Sequence, residues 1–420
     1  MRDVLFVQFK EHTNLRYGKG LKTILGNGLS SVYEECKNLG DFFWADFQRT
    51  GNGENTDLPI TEGTVYVSTI FADHIMQALI WAHKFPKVQF IVGGKGVTEY
   101  GFVYKGKFLE ILPTNVSGPK IQPPSNIRFT KETAEKEILG KCLSDKPWHI
   151  ELPEDIEDVV TLSYPADNSC YWGKCLFCEQ RVFTGKPLER SFRGLQFPEL
   201  NNYWAVWLAS PALSPAFLLD ELQNAPMLGN RYRYYVFLRA DQAVLKVLDQ
   251  AIQRICLKND GKIPVIFHVG VECPSNRMLK MMGKGTTTDI MLKVFEIFAK
   301  YNCKVRLYFI LLWNVLTSED VEEAGKFSKE LKNLFSDRIQ VTLFDLKLRR
   351  FGQPETEFEK VLGFPQLDVD VAYKFGKLEC KILFPILDKE QLALNLELYN
   401  VYKENFDCIV NKRTRKFLGV

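Results

Sequence analysis

The sequence predicts an α/β protein in three parts: an N-terminal doubly wound, Rossmann-like or flavodoxin-like domain, a partial (β/α)6 TIM-type barrel, and a small α+β C-terminal cap. Three observations predict it. Short apolar runs alternate with helical periodicity along most of the chain. A stretch with four prolines between Pro113 and Pro124 separates two such series. The second series holds six apolar runs, most of them joined by helical segments long enough for right-handed crossovers. The boundaries then fall at 1–125 for the first domain, 126–158 for a linker, 159–350 for the barrel and 351–420 for the cap.

In the first series, strands are expected at Val4 to Phe9, Phe42 to Phe47, Thr64 to Ser68 and Val88 to Val92, with helices at Leu21 to Asn38 and Asp73 to Lys84. The linker turns charged across Lys131 to Asp158. Beyond it, Val159 to Tyr164, Tyr203 to Leu208, Arg231 to Leu238, Val265 to Val271, Cys303 to Ile310 and Ile339 to Phe344 have the continuous apolar character of strands buried on both faces. Helical patterns fall at Pro215 to Gln223, Asp241 to Cys256, Thr288 to Lys300 and Ser318 to Leu334. In such barrels the site gathers on loops after the strands' C-terminal ends. The cap carries strand-like Cys380 to Phe384 and helix-like Lys389 to Tyr402.

Composition narrows the function classes. The net charge of +3 is small against 54 basic and 51 acidic residues, so no broad surface for nucleic acid or membrane is expected. Charge returns at Lys10 and Glu11, too early for a signal peptide. No apolar run approaches the ~20 residues of a membrane helix. A cytoplasmic location is the expectation. Seven of the ten cysteines are scattered on apolar segments, as buried small hydrophobes would be.

The other three are clustered. Cys170, Cys175 and Cys178 share one short loop directly after the first barrel strand, with Phe177 just before the last thiol. Three neighbouring thiols suit an iron-sulfur cluster with one iron left open to an outside ligand. They also suit a structural zinc site, which needs a fourth ligand such as His149 or a distant cysteine. Tyr171 and Trp172 are expected to pack under the loop.

The cysteine loop, Phe177 and the six strand-helix units resemble the radical S-adenosylmethionine (SAM) superfamily over roughly Val159 to Phe344. Four residues separate Cys170 from Cys175 where the family usually has three. The resemblance implies a 4Fe-4S cluster on Cys170, Cys175 and Cys178, SAM on the open iron, and Phe177 near the adenine. The string His268 to Ser275, with Leu279 to Thr287, is similar to the fourth-strand region of cobalamin-type members. By that likeness Glu272, Ser275 and Lys284 face SAM, Arg239 is the arginine after the third strand, and Ser210 lies where main chain meets the SAM amino group.

The first domain resembles the cobalamin-binding domain of the same subfamily, with Ser68 after the third strand and Gly93-Gly94 after the fourth. The subfamily's Asp-x-His-x-x-Gly string is absent: at His12, Lys10 and Leu15 take the Asp and Gly positions. The resemblance implies a radical SAM enzyme, with cobalamin-dependent methylation of a peptide or other natural product as a common outcome. It also implies a reductase or flavodoxin-type electron donor. Two other readings stay open at this point. One is a cobalamin-independent dehydrogenase or epimerase of small molecules, with Cys273 as hydrogen donor. The other is a non-catalytic scaffold holding a structural metal.

Overall fold

The computed structural model describes residues 3–13, 22–26, 29, 32–48, 57–69, 72–94, 97, 124–130, 132, 134–140, 160–164, 170–178, 203–208, 210, 212–225, 233–336, 339–346, 348–350, 360, 368–375, 378–410 and 412–420. The proline-rich stretch 113–123 and His149 lie outside them.

The N-terminal strands are β1 (Val4–Thr13), β2 (Lys22–Gly26), β3 (Asp41–Gln48), β4 (Gly63–Ser68), β5 (Val88–Gly93) and β6 (Ile127–Phe129). Setting β2 aside, the other five are parallel and lie side by side as β3-β1-β4-β5-β6. That is the 2-1-3-4-5 order of a doubly wound sheet. Helices cover both faces because β1 alternates: Leu5, Val7 and Phe9 pack with Ile75, Ala78 and Trp81 of α2 (Ala72–Lys84), while Phe6 packs with Cys36 of α1 (Tyr33–Cys36) and with Ile138 of α3 (Ala134–Leu139).

Two expectations change here. The helix expected over Leu21 to Asn38 is instead β2 followed by the short α1. The run Thr23-Ile24 favours strand, and Gly26 and Gly28 break helical continuity. β2 also has partners on both edges. It runs antiparallel to Lys10–Thr13 of β1 and parallel to the first barrel strand, so the chain forms one thirteen-stranded sheet. Second, the stretch expected as linker contains β6, which extends the first sheet beside β5.

The later strands are β7 (Val160–Tyr164), β8 (Tyr203–Leu208), β9 (Arg233–Leu238), β10 (Val265–Glu272), β11 (Lys304–Leu311) and β12 (Ile339–Asp345). All pair in parallel and in chain order. A π-helical turn at Phe217–Glu221 and a 3-10 turn at Leu222–Asn224 stand between β8 and β9. The remaining crossovers are α4 (Gln242–Lys258), α5 (Asn276–Met281) with α6 (Thr288–Lys300), and α7 (Ser318–Phe335). Asp241 caps α4 by accepting from the amides of Ala243 and Val244, and Thr317 with Asp320 forms a capping box on α7. The apolar stripe of α6, Met291, Val294, Phe295 and Phe298, meets the outward residues Phe267, Val269, Val305 and Leu307 in one core. His268, Gly270, Arg306, Tyr308 and Thr342 therefore share the opposite, inner face.

The C-terminal region is less separate than a cap. A three-stranded antiparallel sheet forms from β13 (Leu348–Arg350), β14 (Asp368–Phe375) and β15 (Leu378–Phe384). The rest returns to the main sheet: α8 (Lys389–Asn405) packs on α7, β16 (Cys408–Val410) pairs in parallel with β12, and α9 (Lys412–Leu418) follows. No helix among the described residues is long and apolar enough to cross a membrane.

Candidate functional site

The cysteine loop is seated by the turn after α5. That helix ends in a Schellman motif: Gly283 N–H donates to the Lys280 carbonyl at 3.0 Å and Lys284 N–H to the Leu279 carbonyl at 2.9 Å. Leu176 N–H then donates to the Met282 carbonyl, and the Trp172 indole to the Gly283 carbonyl, each at 2.9 Å. Both glycines of Gly283-Lys284-Gly285 have left-handed backbones, with φ of +66° and +67°. A Cβ on Gly283 would lie 2.8 Å from the Lys174 carbonyl oxygen, and one on Gly285 2.0 Å from the Trp172 ring. The two glycines let the loop dock.

Arg239, at the end of β9, ties that loop to the barrel. It is 5% exposed, its guanidinium lies 5.0 Å from the Trp172 ring, and it donates through three nitrogens. Nε reaches Asp241 Oδ2 at 2.9 Å, Nη1 reaches Cys175 Sγ at 3.1 Å, and Nη2 reaches the Lys284 carbonyl. Asp241 Oδ2 also accepts from Tyr171 Oη at 2.7 Å. Burial would lower the Arg239 pKa, but Cys175, Tyr171 and Asp241 outweigh it and raise the value. Burial, then Asp241, pushes the Tyr171 phenol well up.

At the end of β10, Glu272 Oε1 accepts from Lys284 Nζ at 2.6 Å, and both side chains are nearly buried. Glu272 has a left-handed backbone, φ +70°, beside a register shift in β10. A Cβ on Gly270 would sit 2.4 Å from Glu272 Oε1, so the glycine makes room for the ion pair. Lys284 Nζ also lies 5.7 Å from the Phe177 ring centre.

These groups line one open cavity of about 390 Å³ at the C-terminal ends of the strands. Cys170, Cys175, Cys178, Phe177, Arg239, Glu272 and Lys284 all contribute to it. Sequence reasoning missed Phe237, Tyr308, Phe344 and Asp345, which also line it. Asp345, like Glu272, is an acid at a strand end, and that position was the available signal. Tyr308 Oη sits 2.5 Å from His268 Nδ1 on the inner face.

Three residues expected at the site, Ser275, Cys273 and Ser210, do not line the cavity. Ser275 is fully buried; its hydroxyl accepts from Met278 N–H at the start of α5 and donates to Asp320 Oδ1, so it is an N-cap rather than a cavity group. Cys273 is fully buried in the core, where desolvation and then Asp320 push its thiol up, and it does not line the cavity. Ser210 is buried with its hydroxyl unpartnered among the described residues, also off the cavity lining. In the first sheet, Gly94 has φ +95° and its Cβ would lie 2.6 Å from the Thr69 carbonyl oxygen and 3.4 Å from Ser68 Oγ. Gly93 accepts from Thr69 N–H and Oγ1, both at 2.8 Å. The close crossing of these two strand ends itself requires Gly94.

None of the three thiols is in a disulfide with another described residue. Among the described residues no three His, Cys, Asp or Glu side chains are gathered for a single metal ion. The thiols line a common cavity from one loop, and this soft donor set fits a polynuclear iron-sulfur cluster, in which each thiolate takes a different iron.

No protein-family model and no curated protein matches the sequence. Solved structures do match. OxsB, a cobalamin-dependent SAM radical enzyme, aligns in its apo form with a TM-score of 0.56 at 13% identity, over 94% of this chain and 65% of OxsB. With aqua-cobalamin bound it gives 0.56 at 12% identity, over 99% and 70%. TsrM from Kitasatospora setae, a radical SAM methyltransferase with cobalamin and a 4Fe-4S cluster bound, gives 0.52 at 11% identity, over 96% and 91%. The fold is therefore the one seen in the radical SAM enzymes OxsB and TsrM. This chain spans 65% of the length of the apo OxsB chain.

Proposed function

We propose that this protein is a radical SAM enzyme whose cluster is held by Cys170, Cys175 and Cys178. The observation that carries the proposal is that three thiols of one loop line a cavity at the C-terminal ends of parallel strands paired in chain order, the barrel position where sites gather. Cys170, Cys175 and Cys178 would hold a 4Fe-4S cluster there, which when reduced by an external donor would supply the one electron that cleavage of SAM to methionine and a 5'-deoxyadenosyl radical requires. Phe177 offers an apolar wall for the adenine. Glu272 and Lys284 offer opposite charges to the zwitterionic methionine end of SAM. Asp241 and Tyr171 keep Arg239 against the loop, and Trp172 packs between that arginine and Gly285, which fixes the floor on which the cysteines stand.

The finer assignment follows the same fold likeness: cobalamin on the first sheet, near Ser68 and Gly93-Gly94, methyl transfer to a peptide or other natural product, and electrons from a reductase or flavodoxin-type donor. A cobalamin-independent reaction is the second reading. It is favoured by the absence of an Asp-x-His-x-x-Gly string at His12, where Lys10 and Leu15 take the Asp and Gly positions.

Anaerobic reconstitution tests the main reading. Iron and sulfide uptake, with 5'-deoxyadenosine formed from SAM and dithionite, is expected in the full chain and absent in Cys175→Ala, whose barrel stays folded. Zinc uptake without iron, or a Cys175→Ala protein that loses stability instead, overturns it in favour of a structural metal. Corrinoid binding, measured by absorbance, separately decides between the two finer readings.

A further inference from the structure

We propose that Arg239 is a positioning residue that raises the reduction potential of the cluster by donating a hydrogen bond to the Cys175 sulfur. The inference rests on the cysteine loop holding a cluster and goes beyond it by assigning the arginine to that sulfur rather than to SAM. Three of its nitrogens already donate, to Cys175 Sγ, to Asp241 Oδ2 and to the Lys284 carbonyl. Its carboxylate partner is itself fixed, accepting from Tyr171 and from two amides of α4. The guanidinium thus has little freedom to turn toward another ligand.

The sign follows from charge. Taking one electron from an external low-potential donor makes the cluster and its thiolates more negative. A cationic N–H aimed at one sulfur is then stronger in the reduced state than in the oxidised one. Because Arg239 is buried, water screens this preference weakly. The hydrogen bond therefore favours reduction, and its removal makes the potential more negative. Asp241 tempers the effect through its own negative charge, but it sits on Nε, on the other side of the guanidinium from the sulfur-bound Nη1.

The experiment uses the full chain, anaerobically reconstituted, as wild type, Arg239→Lys and Arg239→Gln, each matched for iron content. Mediated redox titration followed by EPR reads the midpoint potential. Arg239→Gln is expected to be shifted negative. Arg239→Lys, which keeps the charge and loses the planar fork, is expected between the two. Equal midpoints in all three proteins, with only iron occupancy reduced, overturn the inference and leave Arg239 as a packing residue. Loss of the cluster from both variants does the same. A wild type that takes up no cluster defeats the proposed function itself, and that result is distinct from either of the others.

Discussion

Replacing Gly285 with alanine strikes the contact that seats the cysteine loop, and Gly261 provides the control. Both glycines are left-handed, with φ of +67° and +79°. An alanine in that conformation costs about 1–2 kcal/mol, partly offset by about 0.4–1 kcal/mol from a less flexible unfolded chain. At Gly261 nothing lies within 4 Å of the added Cβ, so the cost stops there. At Gly285 the Cβ falls 2.0, 2.3 and 2.7 Å from three carbons of the Trp172 ring. Relieving that overlap adds about 1–3 kcal/mol, for a total of roughly 1–5 kcal/mol. The ring cannot move without loosening its bond to the Gly283 carbonyl, so the strain is local to the loop. Hydrogen exchange by mass spectrometry over residues 170–178 measures local opening there, through the Leu176 amide that donates to Met282. Gly285→Ala is expected to speed exchange in that segment about 10-fold or more, at about 1.4 kcal/mol per factor of ten, while Gly261→Ala leaves it unchanged. Equal exchange in the two variants would refute the docking argument.

Asn395 on α8 accepts from Trp313 N–H at 2.9 Å and donates to the Trp313 carbonyl at 2.6 Å, so Asn395→Leu removes two buried hydrogen bonds to the backbone; a loss of about 1–3 kcal/mol is expected from urea unfolding followed by tryptophan fluorescence. His268 is pushed down from its ordinary 6.5 to about 3, first by burial and then by Arg306. The unfolded chain therefore binds a proton near pH 6.5 that the folded chain refuses, and stability falls as the pH drops from 6.5 towards about 3, by up to about 1.4 kcal/mol per pH unit. His268→Phe is expected to flatten this part of the urea midpoint against pH profile; an unchanged slope would show that the imidazole is not the group responsible.

Much of the architecture was legible because parallel strands covered on both faces appear as uninterrupted apolar runs. Tyr203 to Leu208 and Thr288 to Lys300 coincide with β8 and α6. The same property hid Phe237, where no polar residue breaks the run Tyr234 to Leu238, whereas Tyr308 shares a face with Lys304 and Arg306, so the alternation of β11 was an available signal. β2 was missed because, although Thr23-Ile24 and the glycines after it argue against a helix, the strand is completed by distant partners, β1 and β7, that no local pattern shows. Ser275 illustrates the opposite error. Its position in a string similar to a SAM-contacting region suggested a ligand, while its place before Asn276-Arg277-Met278 is that of an N-cap, and the hydrogen bonds follow the local rule. Arg239 and Glu272 were found from their strand ends, but their partners depend on a turn formed by residues 282–285 and could not be read from spacing.

Three unfavourable features meet beside the cysteine loop. Glu272 holds a left-handed backbone that ordinary residues avoid, Lys284 and Glu272 form a nearly buried ion pair, and Gly270 gives up its side chain to admit them. A buried ion pair is often no more stable than apolar residues of the same size, and strained backbone of this kind costs on the order of 1–3 kcal/mol. What the combination does provide is a pair of opposite charges of fixed position at the rim of a cavity, able to exchange their mutual contact for contacts with a ligand that carries both signs. The methionine end of SAM is such a ligand. The unfavourable terms are therefore best understood as preorganisation, and their convergence on one strand end ties the local chemistry of Gly270, Glu272 and Lys284 to the function proposed for the three thiols.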